Sequence, residues 1–344
     1  MKKIPETMHG VLLIGHGGLE KLEYKTNISV PVAKEDEVLI KVAAAGVNNT
    51  DINTRTGWYS KSKNNDGSSW SGAPLKFPLI QGIDVCGTIV SVGSKINSSR
   101  IGERVIARPM QTDPKNPSKP NMITLGSEID GGFAQYVTIR SSETFVINCK
   151  WTDVELGSIP CSYSTAEGLL HRVNLGSEKI FINGASGGVG SVAISILSSL
   201  GYSVVASTGR LSESDYLTGL GAKLIIDRNE LSEPSRPLGK ERWIAAVDSV
   251  GSQTLVNVIA QTQYGGAVSA CGLAQGMDLP LTVLPFILRG ISLVGIDSVM
   301  APMNKRERAW SRLSTDLDMK KLNEMVVETT LEEVPTFAEA ILAG

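Results

Sequence analysis

The run Ile180-Phe181-Ile182-Asn183-Gly184-Ala185-Ser186-Gly187-Gly188-Val189-Gly190 constrains this chain more than any other. Bulky apolar residues lead into small ones, and Val189 to Leu200 then has helical spacing. A buried strand running through such a turn into a helix lets the backbone approach an anion. The first N–H groups of a helix lack intrahelical acceptors and carry the positive end of its dipole. Against the pattern Gly-x-Gly-x-x-Gly, Ala185 fills the first slot and Gly187 and Gly190 the other two, with Ser186, Gly188 and Val189 between. A glycine-rich turn can also serve packing alone. The strand before it and the helix after it favour a dinucleotide pyrophosphate.

The rest of the second half supports that context. Strands are predicted at Lys179–Asn183, Tyr202–Ser207, Lys223–Asp227, Trp243–Asp248, Ala267–Cys271 and Ile291–Ile296. Helices are predicted between them, one over Ser212–Leu220 with Ser212 and Asp215 at capping-box spacing. Such alternation makes an α/β fold with a parallel, doubly wound sheet. An earlier helix starts at Thr152, with Glu155 three residues on, and extends to His171. The first half reads differently, as short strands (Val38–Val42, Gly87–Val92, Arg104–Ala107) between long polar loops at Ser60–Pro78 and Pro109–Asp130. The first loop carries Trp70 and suits a lid; its Lys61 and Lys63, with Lys76, could meet phosphates or simply be solvated.

The second strand of the sheet decides between the two nicotinamide cofactors. Enzymes that use NAD place an acidic residue there to hold the ribose 2′-hydroxyl. This chain has Ser207-Thr208-Gly209-Arg210, with no carboxylate and with a guanidinium that could pair with a 2′-phosphate. NADP(H) is therefore the expected cofactor. Gly272-Leu273 and Ile296-Asp297-Ser298 end strands at the carboxyl edge, where open α/β sheets bind ligands. Asp248-Ser249-Val250-Gly251 ends another and reads as structural.

A net charge of −2 over 344 residues gives no reason to expect nucleic acid or a membrane surface as partner. Cys86, Cys149, Cys161 and Cys271 form no CxxC pair, as expected of thiols in a reducing cytoplasm. Lys2 and Lys3 are followed by Glu6, His9 and Gly10 rather than by an apolar stretch, so no secretory signal is expected.

Three segments, Gly46-Val47-Asn48-Asn49-Thr50-Asp51, Gly82-Ile83-Asp84-Val85-Cys86-Gly87-Thr88-Ile89-Val90 and the Ala185–Gly190 turn, resemble the medium-chain dehydrogenase/reductase superfamily. Zinc-dependent members carry Cys where this chain has Asn48, and His and Glu where it has Ile83 and Asp84. Only Cys161 falls where a third zinc ligand often lies, and one thiolate does not make a three-ligand site. The resemblance is therefore to the zinc-independent quinone oxidoreductase and acrylyl-CoA reductase branch. It is carried further by Ala270-Cys271-Gly272-Leu273-Ala274, Leu284 to Arg289 and Gly295 to Met300.

That resemblance implies a mainly β, GroES-like catalytic domain of residues 1–152 and 298–344 and a Rossmann domain of residues 153–297. It implies reduction of an activated C=C bond by NADPH, as in an enoyl-CoA, an enone or a quinone. The alternatives are an alcohol dehydrogenase or carbonyl reductase, or a non-catalytic, crystallin-like NADPH-binding protein. Asn48 is placed at the nicotinamide, and Thr165 at the nicotinamide from the facing helix. Tyr59 inherits the position of the proton donor of 2-enoyl thioester reductases, where packing at the loop mouth is the other reading. Asp51 reads as a local hydrogen-bonding residue rather than an acid. Arg55 is open between an attractor of anionic substrate and a surface arginine. The apolar run Leu281–Leu288, beside the last strands, implies a homodimer.

Overall fold

Alternating burial in the first part of the chain and continuous burial in the second separate two architectures. The computed structural model describes residues 3–58, 75–111, 123–158, 179–298 and 301–343. The chain divides into two units, Met1–Pro160 with Val326–Gly344, and Cys161–Met325.

The first unit is built from short antiparallel strands. They are β1 (Thr7–Leu13), β2 (Leu22–Ser29), β3 (Glu37–Ala44), β4 (Leu79–Ile80), β5 (Cys86–Val92), β6 (Arg104–Ala107), β7 (Met110–Gln111), β8 (Ile123–Thr124), β9 (Tyr136–Arg140) and β10 (Thr144–Val146). The largest sheet runs β10-β6-β5-β3-β9 and a second runs β2-β1-β4. Val38, Ile40, Val85, Ile89, Val105, Val137 and Ile139 form the core of the larger sheet. Alternate residues along each strand supply it, as the period of two requires. Two helices punctuate the unit, α1 (Asn49–Thr56) and α2 (Asp153–Ser158). The C-terminal helix Val334–Ala343 also belongs to it, with Val334 packed among Met8, Val11, Ile80 and Phe133. The Pro109–Asp130 segment is not wholly a loop, because β7 and β8 pair within it.

The second unit is a six-stranded parallel sheet of β11 (Lys179–Ile182), β12 (Ser203–Thr208), β13 (Ala222–Asp227), β14 (Trp243–Asp248), β15 (Thr262–Ala270) and β16 (Ser292–Gly295), in the order β13-β12-β11-β14-β15-β16. Renumbered within the unit this is 3-2-1-4-5-6, the doubly wound Rossmann order, with its reversal between β11 and β14. Ile180, Phe181 and Ile182 are all buried, as a strand covered on both faces requires. Phe181 stacks on Trp243 at 4.3 Å between ring centroids, and the indole N–H donates to the Val258 carbonyl at 3.2 Å. The buried indole thus loses no hydrogen bond on leaving water.

The connecting helices are α3 (Gly188–Ser199), α4 (Ser214–Leu220), α5 (Ser252–Ala260), α6 (Leu284–Arg289), α7 (Met303–Asp316) and α8 (Met319–Met325). The helices of 303–325, which the sequence assigns to the first unit, group with this one. Leu322 is fully buried, and Lys321 Nζ donates to the Leu220 carbonyl at 2.7 Å, closing the C-terminal end of α4. The predicted Ser212–Asp215 capping box does not form. Leu211–Glu213 is already a turn of 3₁₀ helix, so Ser212 does not hold the extended conformation of an N-cap, and α4 begins without a side-chain cap. No helix of the described residues is long and apolar enough to cross a membrane.

Candidate functional site

The sheet reversal places the glycine turn at the carboxyl end of β11. Gly184 has φ +56°, in the left-handed region, and Ala185 N–H donates to the Ser207 carbonyl at 3.2 Å. These ties lay the turn across the end of β12. Gly190 has no room for a side chain, because a Cβ would meet the Gly184 carbonyl and lie 2.8 Å from Ala185 Cα. This contact brings the first turn of α3 down onto the strand end. Gly187 is the N-cap of α3, no side chain caps it, and Gly187 and Gly188 are exposed while Val189 is half-buried. The first amides of a long helix thus have no acceptor among the described residues, and they begin on that exposed stretch.

Ser186 Oγ shares a hydrogen bond with Thr208 Oγ1 at 2.8 Å, and Arg210 N–H donates to the same Thr208 oxygen at 3.0 Å. Thr208 therefore ties the turn to the end of β12, where Ser207 is buried. The Arg210 guanidinium is half-exposed and pairs with Glu213 at 3.2 Å. Gly209 brings in a residue that sequence reading missed. A Cβ there would lie 2.5 Å from Arg228 Nε and 2.6 Å from its Cζ, so the Arg228 guanidinium lies against the glycine backbone. Arg228 follows β13, whose Asp227 pairs with Thr208 of β12. Parallel pairing of the two strand ends is the signal that could have found it.

The neighbouring strand ends are fixed by buried polar contacts. Asn183 Nδ2 donates to Asp248 Oδ1, Ser249 N–H donates to Asn183 Oδ1 at 2.8 Å, and Gly251 N–H donates to Asp248 Oδ2 at 2.9 Å. Burial pushes the Asp248 carboxyl above its ordinary pKa, against these hydrogen bonds. A Cβ on Gly272 would strike the Ser249 carbonyl, so β14 and β15 end in close apposition. Leu273 is exposed beside them. Ile296 N–H donates to the Ala270 carbonyl at 2.9 Å, which carries Ile296, Asp297 and Ser298 past the end of β16.

In the first unit, the run after Asn48 is the helix α1. Asn48 is the N-cap of α1, and its N–H donates to Asp51 Oδ2 at 2.9 Å. Gly82 N–H donates to Asp51 Oδ1 at 3.0 Å, so this carboxylate joins two segments. Burial raises the Asp51 pKa to about 7, with the nearby Asp84 adding to the rise and the backbone amides opposing it. The Asn48 side chain donates to Asp84 Oδ2 at 3.1 Å and to the Gly46 carbonyl at 3.4 Å. Ile83 and Asp84 are buried. Arg55 is not at the surface, being 2% exposed. Tyr59, Thr165 and Cys161 lie outside the described residues.

Comparison with known proteins gives the same division. Residues 34–149 match the alcohol dehydrogenase GroES-like domain and residues 188–315 match the family described as zinc-binding dehydrogenase. The probable acrylyl-CoA reductase AcuI of Escherichia coli is 51% identical over 164 residues, a match spanning 48% of this chain and half the length of that relative. The putative quinone oxidoreductase YhfP of Bacillus subtilis is 37% identical over 92% of this chain and 89% of its own. Its crystal structure with NAD bound aligns at a TM-score of 0.79 with 33% identity, covering 98% of this chain and 96% of that one. The yhdH oxidoreductase of Salmonella enterica, solved in complex with NADP, aligns at 0.80 with 32% identity over 98% and 96% of the two chains. With both domains matched and a relative of this identity aligned along nearly its whole length, the chain belongs to the medium-chain dehydrogenase/reductase superfamily, in its quinone oxidoreductase and acrylyl-CoA reductase-like branch.

Proposed function

We propose that this protein is an NADPH-dependent, zinc-independent oxidoreductase that reduces an activated C=C bond. The observation that carries the reading is the uncapped N-terminus of α3, pressed onto β11 by Gly190 and flanked by Arg210 and Arg228. Its residues fit a phosphorylated dinucleotide. The amides of Gly188, Val189 and Gly190 would hold the pyrophosphate, with Ser186 beside them. Arg210 and Arg228, near Ser207 and Gly209, would hold the 2′-phosphate, and no acidic residue stands where a 2′-hydroxyl would need one. Gly272, Leu273, Ile296, Asp297 and Ser298 would line the nicotinamide side.

When bound, the nicotinamide supplies a hydride to an electron-poor carbon. The chain has to orient the acceptor, keep water away, and deliver a proton to the neighbouring carbon. Tyr59 is the proposed proton donor and Thr165 the proposed nicotinamide contact, both by position in the sequence. Asn48 is a proposed nicotinamide contact from the first unit, with its amide oriented by Asp84 and Gly46. The zinc-free assignment rests on the donors present: an amide at Asn48, hydrogen-bonded to the Asp84 carboxylate, and an alkyl group at Ile83. Neither Asn48 nor Ile83 matches the thiolate and imidazole of a catalytic zinc site.

A homodimer is proposed through β16, the edge of the six-stranded sheet. Beside it Val283, Ile287 and Leu288 are 66%, 69% and 56% exposed. Such an apolar group next to an unpaired strand suits burial against a second copy. The free thiols of Cys86, Cys149 and Cys271 suit a reducing cytoplasm.

Anaerobic stopped-flow with NADPH and NADH against acrylyl-CoA, a quinone and simple aldehydes tests the activity. The expected result is oxidation of NADPH by an activated alkene or quinone, with NADH less effective. Oxidation by aldehydes alone sinks the C=C reading. Stoichiometric zinc by metal analysis sinks the zinc-free one.

A further inference from the structure

Arg55 sits in the last turn of α1, 2% exposed, and neither its Nε nor its Nη1 meets an acceptor. Arginine cannot shed its proton to relieve such burial. Burial pushes its pKa down, opposed by the attraction of Glu20. Glu20 forms no ion pair with it among the described residues, and Glu20 Oε1 accepts the Gly18 N–H at 3.0 Å. The last-turn carbonyls are used by others. His16 Nδ1 bonds the Thr54 carbonyl at 2.9 Å, and Gly17 N–H donates to the Arg55 carbonyl at 2.9 Å.

The same turn holds a second orphan. His16 Nε2 is buried without a partner. Its ring is fixed by the Thr54 contact and by the edge of Phe77 at 5.0 Å, and a Cβ on Gly57 would lie 3.3 Å from its Nδ1. A carbonyl can only accept, so Nδ1 donates to it, and in that tautomer Nε2 offers a lone pair. Guanidinium donors and an imidazole acceptor thus flank one helix end, both out of water. A buried guanidinium with two unmet donors is a liability, and a ligand anion removes it.

We propose that Arg55, with His16, forms an anion subsite at the end of α1 that takes a carboxylate or phosphate group carrying a neighbouring hydroxyl. Arg55 lies seven residues from Asn48, about 10 Å along the helix at 1.5 Å per residue and on nearly the same face. The group bound there belongs to the substrate, at the end remote from the reacting bond; that assignment rests on the function proposed above, whereas anion binding itself does not.

Titration calorimetry and thermal melts of the full chain, without dinucleotide, test the site. The probes are inorganic phosphate and glycolate, with chloride as the ionic-strength control, on wild type, Arg55→Met and Arg55→Lys. Wild type is expected to bind at least one of the two anions, and Arg55→Met to weaken it at least tenfold. In anion-free buffer Arg55→Met is expected to melt at or above wild type, because it removes a buried charge two of whose donors have no acceptor. Should Arg55→Met not fold, Arg55→Lys is expected to show the tenfold loss, since lysine lacks the planar fork. Phosphate held at the start of α3 is common to all three chains and cancels in the comparison. Preference for phosphate over glycolate, or the reverse, identifies the group. Equal affinities across the chains overturn the proposal, as does an Arg55→Met chain that folds but melts below wild type without anions. Because no hydride acceptor is present, failure of the proposed reaction leaves this result standing.

Discussion

At the start of α1 the chain uses its own carboxylate. Asp51 accepts the N–H groups of Asn48 and Gly82, so the cap is tied to a second segment. At the start of α3 no side chain caps the helix, and exposed Gly187 and Gly188 leave the amides open. Both helices present the same orphan donors and the same end of a dipole. Whether a helix N-terminus is a joint or a binding site depends on what stands at the cap and three residues on. In α1 these are Asn48 and Asp51; in α3 they are Gly187 and Gly190.

The largest test converts the open end into a closed one. Gly187 has φ −81° and ψ 166°, which any residue adopts, and a Cβ there would lie 3.2 Å from the Gly184 carbonyl. Gly187→Asp is expected to stabilise α3 by a few tenths of a kcal/mol, about the difference between glycine and aspartate caps. It sets a negative charge where a pyrophosphate would lie. NADPH affinity by fluorescence titration is expected to fall at least about 1,000-fold, or ~4 kcal/mol. Unchanged affinity would show that this end of α3 holds no phosphate.

The closed end is sensitive to pH. A folded pKa of about 7 for Asp51, raised from 3.8, means the folded state favours the neutral carboxyl. The corresponding stability is fully present below about pH 4 and is lost as pH rises through about 7, by on the order of 2–4 kcal/mol. Urea denaturation from pH 4 to 8 is expected to show this slope in wild type and not in Asp51→Asn. Parallel curves would mean that Asp51 titrates normally.

Arg228 and Arg210 make a smaller difference at the open end. Arg228→Ala is expected to reduce the NADPH-to-NADH ratio of kcat/KM about tenfold, or ~1.4 kcal/mol, with NADH kinetics unchanged. Arg210→Ala should do the same or less, since its guanidinium already pairs with Glu213. A ratio moved by neither variant removes the 2′-phosphate from this corner.

The open end was readable in the sequence because its signals are local. Ile180 to Gly190 carries strand, turn and helix in one run, and the absence of a carboxylate after β12 is visible by inspection. The parallel, doubly wound sheet followed from alternation of elements. What escaped depends on chain segments far apart in sequence. Arg228 reaches Gly209 only because β13 pairs with β12. The burial of Arg55 and the orphaning of His16 depend on residues 16 and 17 meeting residues 54 and 55 at one helix end. The helix over Asn49–Thr56 was not predicted, and its Asn, Thr and Asp residues have modest helix propensity. Its N-terminal hydrogen bonds to Gly82 and Gln81 are tertiary. The Ser212–Asp215 box failed for the opposite reason: a correct local spacing was overridden by the 3₁₀ turn before α4.

A third helix start separates capping from charge. Thr152 N–H donates to Glu155 Oε2 at 2.6 Å, and Glu155 N–H donates to Thr152 Oγ1 at 3.2 Å, closing α2 with a reciprocal box. Here both the hydroxyl and the carboxylate come from within the first turn, and among the described residues Glu155 shows no long-range link of the kind that joins Asp51 to Gly82. Losing the Thr152 hydroxyl should therefore release one amide and nothing more. Thr152→Ala is expected to lower stability by about 1 kcal/mol in urea denaturation, and Thr152→Ser by much less. NADPH affinity should be the same in both variants as in wild type. A loss well above that size would mean that the box anchors the unit as Asp51 does, and the contrast between a local cap and a tertiary joint would have to be abandoned.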